Sequence, residues 1–289
     1  MATSNQTPLL IDAAWLNDHL DDPDVVVLDA ATAFGTPPAD GSGRDMYRRG
    51  HIPGAVHADL LGELADETSG LNATALPSER FAERIGALGV SDDSHVIVYD
   101  HGPMMWATRL WWNLRLEGHD RVSVLDGGFP AWQAAGYEVD TGDETPTVAT
   151  FTARRRPELY ADLERVRAAL GDDSVVLIHS LDAATFTGES DDYARPGRIP
   201  GAVNIPFQTL TSDDGRAKDP DETRQGFLQA GALDEDKTPI TYCGGGIAAT
   251  FEAFQLARLG RDDVAVYDGS LTEWTADPSL PMETGEQRG

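Results

Sequence analysis

One cysteine, two lysines and no long apolar run set the first limits on this chain of 289 residues. A lone thiol, Cys243, excludes an internal disulfide, a cysteine-rich zinc site and a paired redox dithiol. The seven histidines are scattered without ligand-like spacing, so no metal site is expected. No apolar run approaches the ~20 residues that span a bilayer. The start, MATSNQTPLLIDAAWLNDHL, lacks the basic and apolar regions of a secretion signal. A cytoplasmic protein without a membrane partner is expected. Positive charge is scarce: 22 Lys and Arg stand against 49 Asp and Glu, a net charge of −27. Such a field repels phosphate backbones, so nucleic acid is not an expected partner.

What is present is a duplication. HIPGAVHADL (51–60) recurs as RIPGAVNIPF (198–207), and VSVLDGGFPAW (122–132) recurs as VAVYDGSLTEW (264–274). DVVVLDA (24–30) is echoed by DSVVLIHS (173–180), and HVIVYDHG (95–102) by TPITYCGG (238–245). Four matches in one order point to two copies of a domain. In each copy, short runs rich in Val and Ile alternate with helical segments. Strands are expected near 25–29, 96–100 and 122–125, then near 175–179, 239–242 and 264–267. Helices are expected near 12–20, 78–88 and 105–116, then near 160–170, 222–230 and 248–259. Continuous apolar strands separated by helices predict a parallel sheet covered on both faces, so each copy is an α/β domain. The copies run over 1–140 and 158–289. The polar, proline-bearing stretch TGDETPTVATFTARRRP (141–157) is the expected linker. A chain that supplies its own domain pair is expected to be a monomer.

ITYCGGGIAAT (240–250) puts the thiol after a buried strand and before a helix. Gly244, Gly245 and Gly246 carry no Cβ, so the backbone is free to curl and turn N–H groups inward. The helix that follows brings its positive end to the same place. A thiolate at Cys243 is stabilised there. Strand–loop–helix tips are also where open α/β sheets bind ligands.

These residues resemble the rhodanese family of sulfurtransferases, in its tandem form with the second domain active. YCGGGIA resembles the active loop, HIPGAV and RIPGAV the motif near each domain start, and VYDGSLTEW and VSVLDGGFPAW the motif near each domain end. The resemblance covers residues ~9–140 and ~158–284. It implies a Cys243 persulfide as the sulfur carrier, with the N–H groups of Gly244, Gly245, Gly246, Ile247, Ala248 and Ala249 stabilising charge on sulfur. It implies no cofactor, a small-molecule sulfur donor, and a thiol or cyanide acceptor. Thiosulfate is the expected donor. 3-Mercaptopyruvate, or a carrier module without turnover, are the alternatives. A phosphatase of this fold needs Arg at the position that Ala249 occupies. Aligning VYD (98–100) with TYC (241–243) places Asp100 opposite Cys243. An Asp cannot carry transferable sulfur, so the first copy is expected to be catalytically silent. The arginines that the family carries near Leu181 and Thr185 are absent. Arg195 and Arg198 are the expected substitutes for binding an anionic donor. Asp268 is read as capping a turn near the loop, and Trp132, Trp274 and His51 as structural.

Overall fold

A computed structural model describes residues 7–33 and 42–286. The first six residues of the stretch read for a secretion signal lie outside this range. Among the described residues no helix is long and apolar enough to cross a membrane. The chain divides into two compact units, each α/β. One holds residues up to Ala65, Leu76–Arg155 and Asp214–Arg216; the other holds Asp66–Ala75, Arg156–Asp213 and the chain from Ala217 on.

The first unit runs β1 (Leu10–Ile11), α1 (Ala13–His19), β2 (Val25–Asp29), α2 (Gly43–Arg49), β3 (Val56–His57), α3 (Ser78–Ala87), β4 (His95–Tyr99), α4 (Met105–Leu116), β5 (Val122–Leu125) and α5 (Gly128–Ala134). The second runs β6 (Tyr160–Ala161), α6 (Leu163–Ala168), β7 (Val175–His179), α7 (Ala183–Thr187), β8 (Val203–Asn204), α8 (Pro220–Gln229), β9 (Thr238–Tyr242), α9 (Ala248–Arg258), β10 (Ala265–Tyr267) and α10 (Ser270–Ala276). The sheet orders are β1-β5-β4-β2-β3 and β6-β10-β9-β7-β8. Every pairing is parallel. The central strand β4 is buried at all five residues, which requires cover on both faces and accounts for its continuous apolar sequence.

The duplication extends to individual hydrogen bonds. Asp12 and Asp162 each cap the first helix of their unit, accepting the N–H of Trp15 and Arg165. The Tyr99 hydroxyl accepts the Ile52 N–H at 3.1 Å, and the Tyr242 hydroxyl accepts the Ile199 N–H at 3.2 Å. Each IPGAV turn is thus pinned to the last residue of its unit's central strand. Trp132 and Trp274 are fully buried, and each indole N–H finds a backbone carbonyl, of Glu138 and Pro281. Buried too are Met104, Trp106 and His51.

The stretch expected as a linker lies along the first unit. The Ala149 N–H donates to Gly86 O, the Arg154 N–H to Glu117 O, and Phe151 meets Phe81 edge-on. The strap comes so close that a Cβ at Gly118 would sit 2.7 Å from Arg154 O, and Gly118 adopts φ +88°. The Arg155 guanidinium donates to Glu117 Oε1 at 2.6 Å and to Leu76 O.

Helix α9, directly after the cysteine loop, buries a carboxyl. Glu252 is inaccessible to solvent and accepts a 2.7 Å hydrogen bond from the Ser180 hydroxyl. Burial holds its pKa well above the carboxylate range. A raised folded-state pKa favours folding below the unfolded value, and that contribution is lost as pH rises toward the folded value. Glu252→Gln is therefore expected to raise the melting temperature at pH 8 relative to the parent protein, by ~2–4 °C for each kcal/mol gained. At pH 4 the two proteins are expected to melt alike. Calorimetry at both pH values checks this, and an equal difference at both would contradict it.

Candidate active site

Cys243 is the first residue after β9, and Asp100 the first after β4. Both strands hold the central position of sheets with the same order. Tyr99 pairs with Asp29 across to β2, and Tyr242 with His179 across to β7. The carbonyl of Asp100 accepts the Phe129 N–H at 2.9 Å, and that of Cys243 accepts the Leu271 N–H at 3.0 Å. The two residues therefore occupy one structural position, as the alignment of VYD with TYC predicts.

The first unit displays what a loop at this position does. The Asp100 carboxylate accepts four backbone N–H groups, from Gly102 (3.0 Å), Met104 (3.2 Å), Trp106 (3.0 Å) and Ala107 (3.1 Å). Burial pushes the Asp100 carboxyl up, while these N–H groups pull it down. The loop is a cradle for negative charge on the side chain that follows the strand.

In the second unit the corresponding loop follows a thiol. Gly245, Ile247 and Ala249 stand at the positions of Gly102, Met104 and Trp106, and their N–H groups have no protein acceptor among the described residues. Gly246 makes the turn with φ +75°, which a side chain would strain. Ile247 precedes α9 without a side-chain cap, so the helix start is left for another acceptor. Thr241 ties the parts together by donating to Ala249 O at 3.0 Å. Cys243 is buried, 2% exposed.

Ser270 holds the loop in shape, and sequence reasoning missed it. Its hydroxyl accepts the N–H of Cys243 and of Gly246, both at 3.1 Å, and donates to Tyr267 O at 2.7 Å. Its φ is +49°, in the left-handed region that the matching Gly128 also adopts at +56°. A serine where the other copy has glycine is the signal that was available. Asp268, read as a turn cap, accepts the Ala75 N–H at 2.9 Å.

The guanidiniums of Arg195 and Arg198, expected to bind an anionic donor, are engaged with backbone carbonyls and one carboxylate. Arg195 donates to the carbonyls of Trp274, Thr275, Asp277 and Leu280, closing the C-terminal end of α10. Arg198 is 1% exposed, with its guanidinium over the Phe186 ring. It donates to Phe186 O, Gly285 O and Glu283 Oε1. Its backbone bridges Glu283 as His51 bridges Asp140 in the first unit.

The family description Rhodanese-like domain matches this chain twice, over residues 12–135 and 162–277. A 3-mercaptopyruvate sulfurtransferase of Escherichia coli is 36% identical, with 96% of this chain and 98% of that one aligned. A thiosulfate sulfurtransferase of Gallus gallus is also 36% identical, with 92% of each chain aligned. The crystal structure of SseA from Escherichia coli superposes with a TM-score of 0.82 at 36% identity, covering 91% of this chain and 99% of that one.

Removing the Ser270 hydroxyl leaves the Cys243 and Gly246 N–H groups without their acceptor. Ser270→Ala is expected to lower stability by about 1–3 kcal/mol, the cost of unsatisfied buried donors. It is also expected to speed hydrogen exchange at Gly246. Exchange at Gly246 as slow as in the parent protein would contradict the role given to Ser270.

Proposed function

We propose that this chain, which belongs to the rhodanese family and is a sulfurtransferase, carries sulfur on Cys243 in its second domain, with the first domain catalytically silent. The observation that carries the reading is the shared position of Asp100 and Cys243. One copy fills the cradle with a fixed carboxylate. In the other, the N–H groups of Gly245, Ile247 and Ala249 have no protein acceptor among the described residues, and a thiol stands at the carboxylate's position.

The Cys243 thiolate attacks the outer sulfur of the donor. With 3-mercaptopyruvate, a bond forms between the two sulfurs and the carbon–sulfur bond breaks. The electron pair leaves on the pyruvate enolate, which takes a proton to give pyruvate. With thiosulfate, the sulfur–sulfur bond of the donor breaks and sulfite departs with the pair. Either route leaves a Cys243 persulfide. A thiol or cyanide then takes the outer sulfur and returns the thiolate. The cradle N–H groups stabilise negative charge on sulfur in both steps. With no second cysteine in the chain, the acceptor comes from outside.

3-Mercaptopyruvate is the donor favoured by the site. A thiosulfate dianion needs more positive charge than backbone dipoles supply, and the guanidiniums of Arg195 and Arg198 are engaged with Trp274 O, Asp277 O, Phe186 O and Glu283. The glycines at 244–246 add none. Relatives named for either donor are equally similar, so the support comes from the residues.

Incubation with either donor is expected to add the mass of one sulfur atom to the parent protein and nothing to Cys243→Ser. Pyruvate release is expected to exceed sulfite release by at least about tenfold in kcat/KM. Sulfur on the serine variant would overturn the assignment of Cys243. Sulfite release that equals or exceeds pyruvate release would return thiosulfate to first place.

A further inference from the structure

The hydroxyls around the cysteine loop are engaged, with one exception. Ser270 and Thr241 are bound as described, Thr272 donates to Gly244 O at 2.7 Å, and Thr250 donates to Ile247 O at 2.7 Å. Tyr193, in the stretch between α7 and β8, differs. Its ring is half-buried and packs against the core of the second unit. Its hydroxyl reaches the loop: a Cβ built on Gly244 would lie 2.0 Å from the Tyr193 hydroxyl oxygen and 3.0 Å from Cζ. Yet that hydroxyl has no hydrogen-bond partner among the described residues. The phenol thus occupies the place of a side chain at the residue that follows the nucleophile, with its O–H unused.

The phenol also stays protonated. Burial raises its pKa first, and the nearness of Cys243, Asp192 and Asp182 raises it further. It is a neutral hydrogen-bond donor across the physiological range. It lies beside Gly244, the residue that follows Cys243.

We propose that Tyr193 is a substrate-binding residue of this site, its hydroxyl donating a hydrogen bond to the donor oxygen on which charge appears as sulfur passes to Cys243. For 3-mercaptopyruvate that atom is the enolate oxygen of the departing pyruvate. By filling the space beside Gly244, the same hydroxyl excludes any side chain there, including a cationic one. The site therefore supplies a neutral donor where a dianion would need a cation, and so selects an α-keto thiol over thiosulfate. This rests on the reading of Cys243 as the sulfur carrier.

The test is Tyr193→Phe, which keeps the ring and removes only the oxygen. Its kcat/KM with 3-mercaptopyruvate is expected to fall about ten- to a hundredfold, the loss of one hydrogen bond to a charged oxygen. The fall is expected in kcat as well as in kcat/KM, because the charge develops in the transition state. The melting temperature and the rate of Cys243 alkylation by iodoacetamide are expected to match the parent, which a merely structural role would not allow. Gly244→Ala is the second arm. It leaves the phenol intact but drives it from its place, so it is expected to produce a fall of the same order. Tyr193→Phe within twofold of the parent in kcat/KM, while the parent loads sulfur on Cys243, would overturn the role of Tyr193 alone. Failure of the parent protein to load sulfur from either donor would overturn the reading of Cys243, and this inference with it.

Discussion

Convergence of backbone N–H groups on the residue that follows the central strand, seen at Asp100, is the constraint on which this structure depends. A parallel strand delivers its last side chain to the carboxyl end of the sheet, and the following helix must begin nearby. The loop between them leaves N–H groups without intrahelical acceptors. In the first unit the Asp100 carboxylate satisfies four of them. In the second, the same geometry is kept open by other means. The Ser270 hydroxyl fixes the two ends of the loop, and Gly246 makes the turn. The site is built from the backbone: Gly246 makes the turn at φ +75°, and Gly244 lies against the Tyr193 hydroxyl.

The same economy of side chains explains the electrostatics. In a chain of net charge −27, cations are few and several are tied to structure. Arg195 and Arg198 satisfy carbonyls at the end of α10 and in the C-terminal stretch. Negative charge in the site is left to N–H dipoles and hydroxyls, which are neutral. Neutral donors stabilise charge that appears during reaction more than they attract a charged ligand from solution. That is the physical basis on which 3-mercaptopyruvate is proposed over thiosulfate as the donor.

Much of this was legible in the sequence, for reasons that differ by element. β2, β5, β7 and α4 were readable because long apolar or helical runs carry their own period. The two-residue strands β1, β3, β6 and β8 are too short to have one, and α5 and α10 begin within the glycine-bearing stretches DGGFP and DGSLT. The equivalence of Asp100 and Cys243 was readable because the repeat supplies its own alignment. The partners of Arg195 and Arg198 were not readable, because sequence reveals a charge but not which carbonyls converge on it. Tyr193 was invisible for the same reason: its approach to Gly244 depends on how the stretch after α7 folds back, and no spacing encodes that.

The account turns on the cradle N–H groups acting on sulfur at Cys243. The most direct measurement is the chemical shift of individual amide protons as the persulfide forms. Loading Cys243 with one sulfur is expected to move the amide protons of Gly245, Ile247 and Ala249 downfield, as new hydrogen bonds to an anion do, while the Gly246 amide, held by Ser270, stays in place. Full sulfur loading by mass with the Gly245, Ile247 and Ala249 signals unmoved would contradict the account.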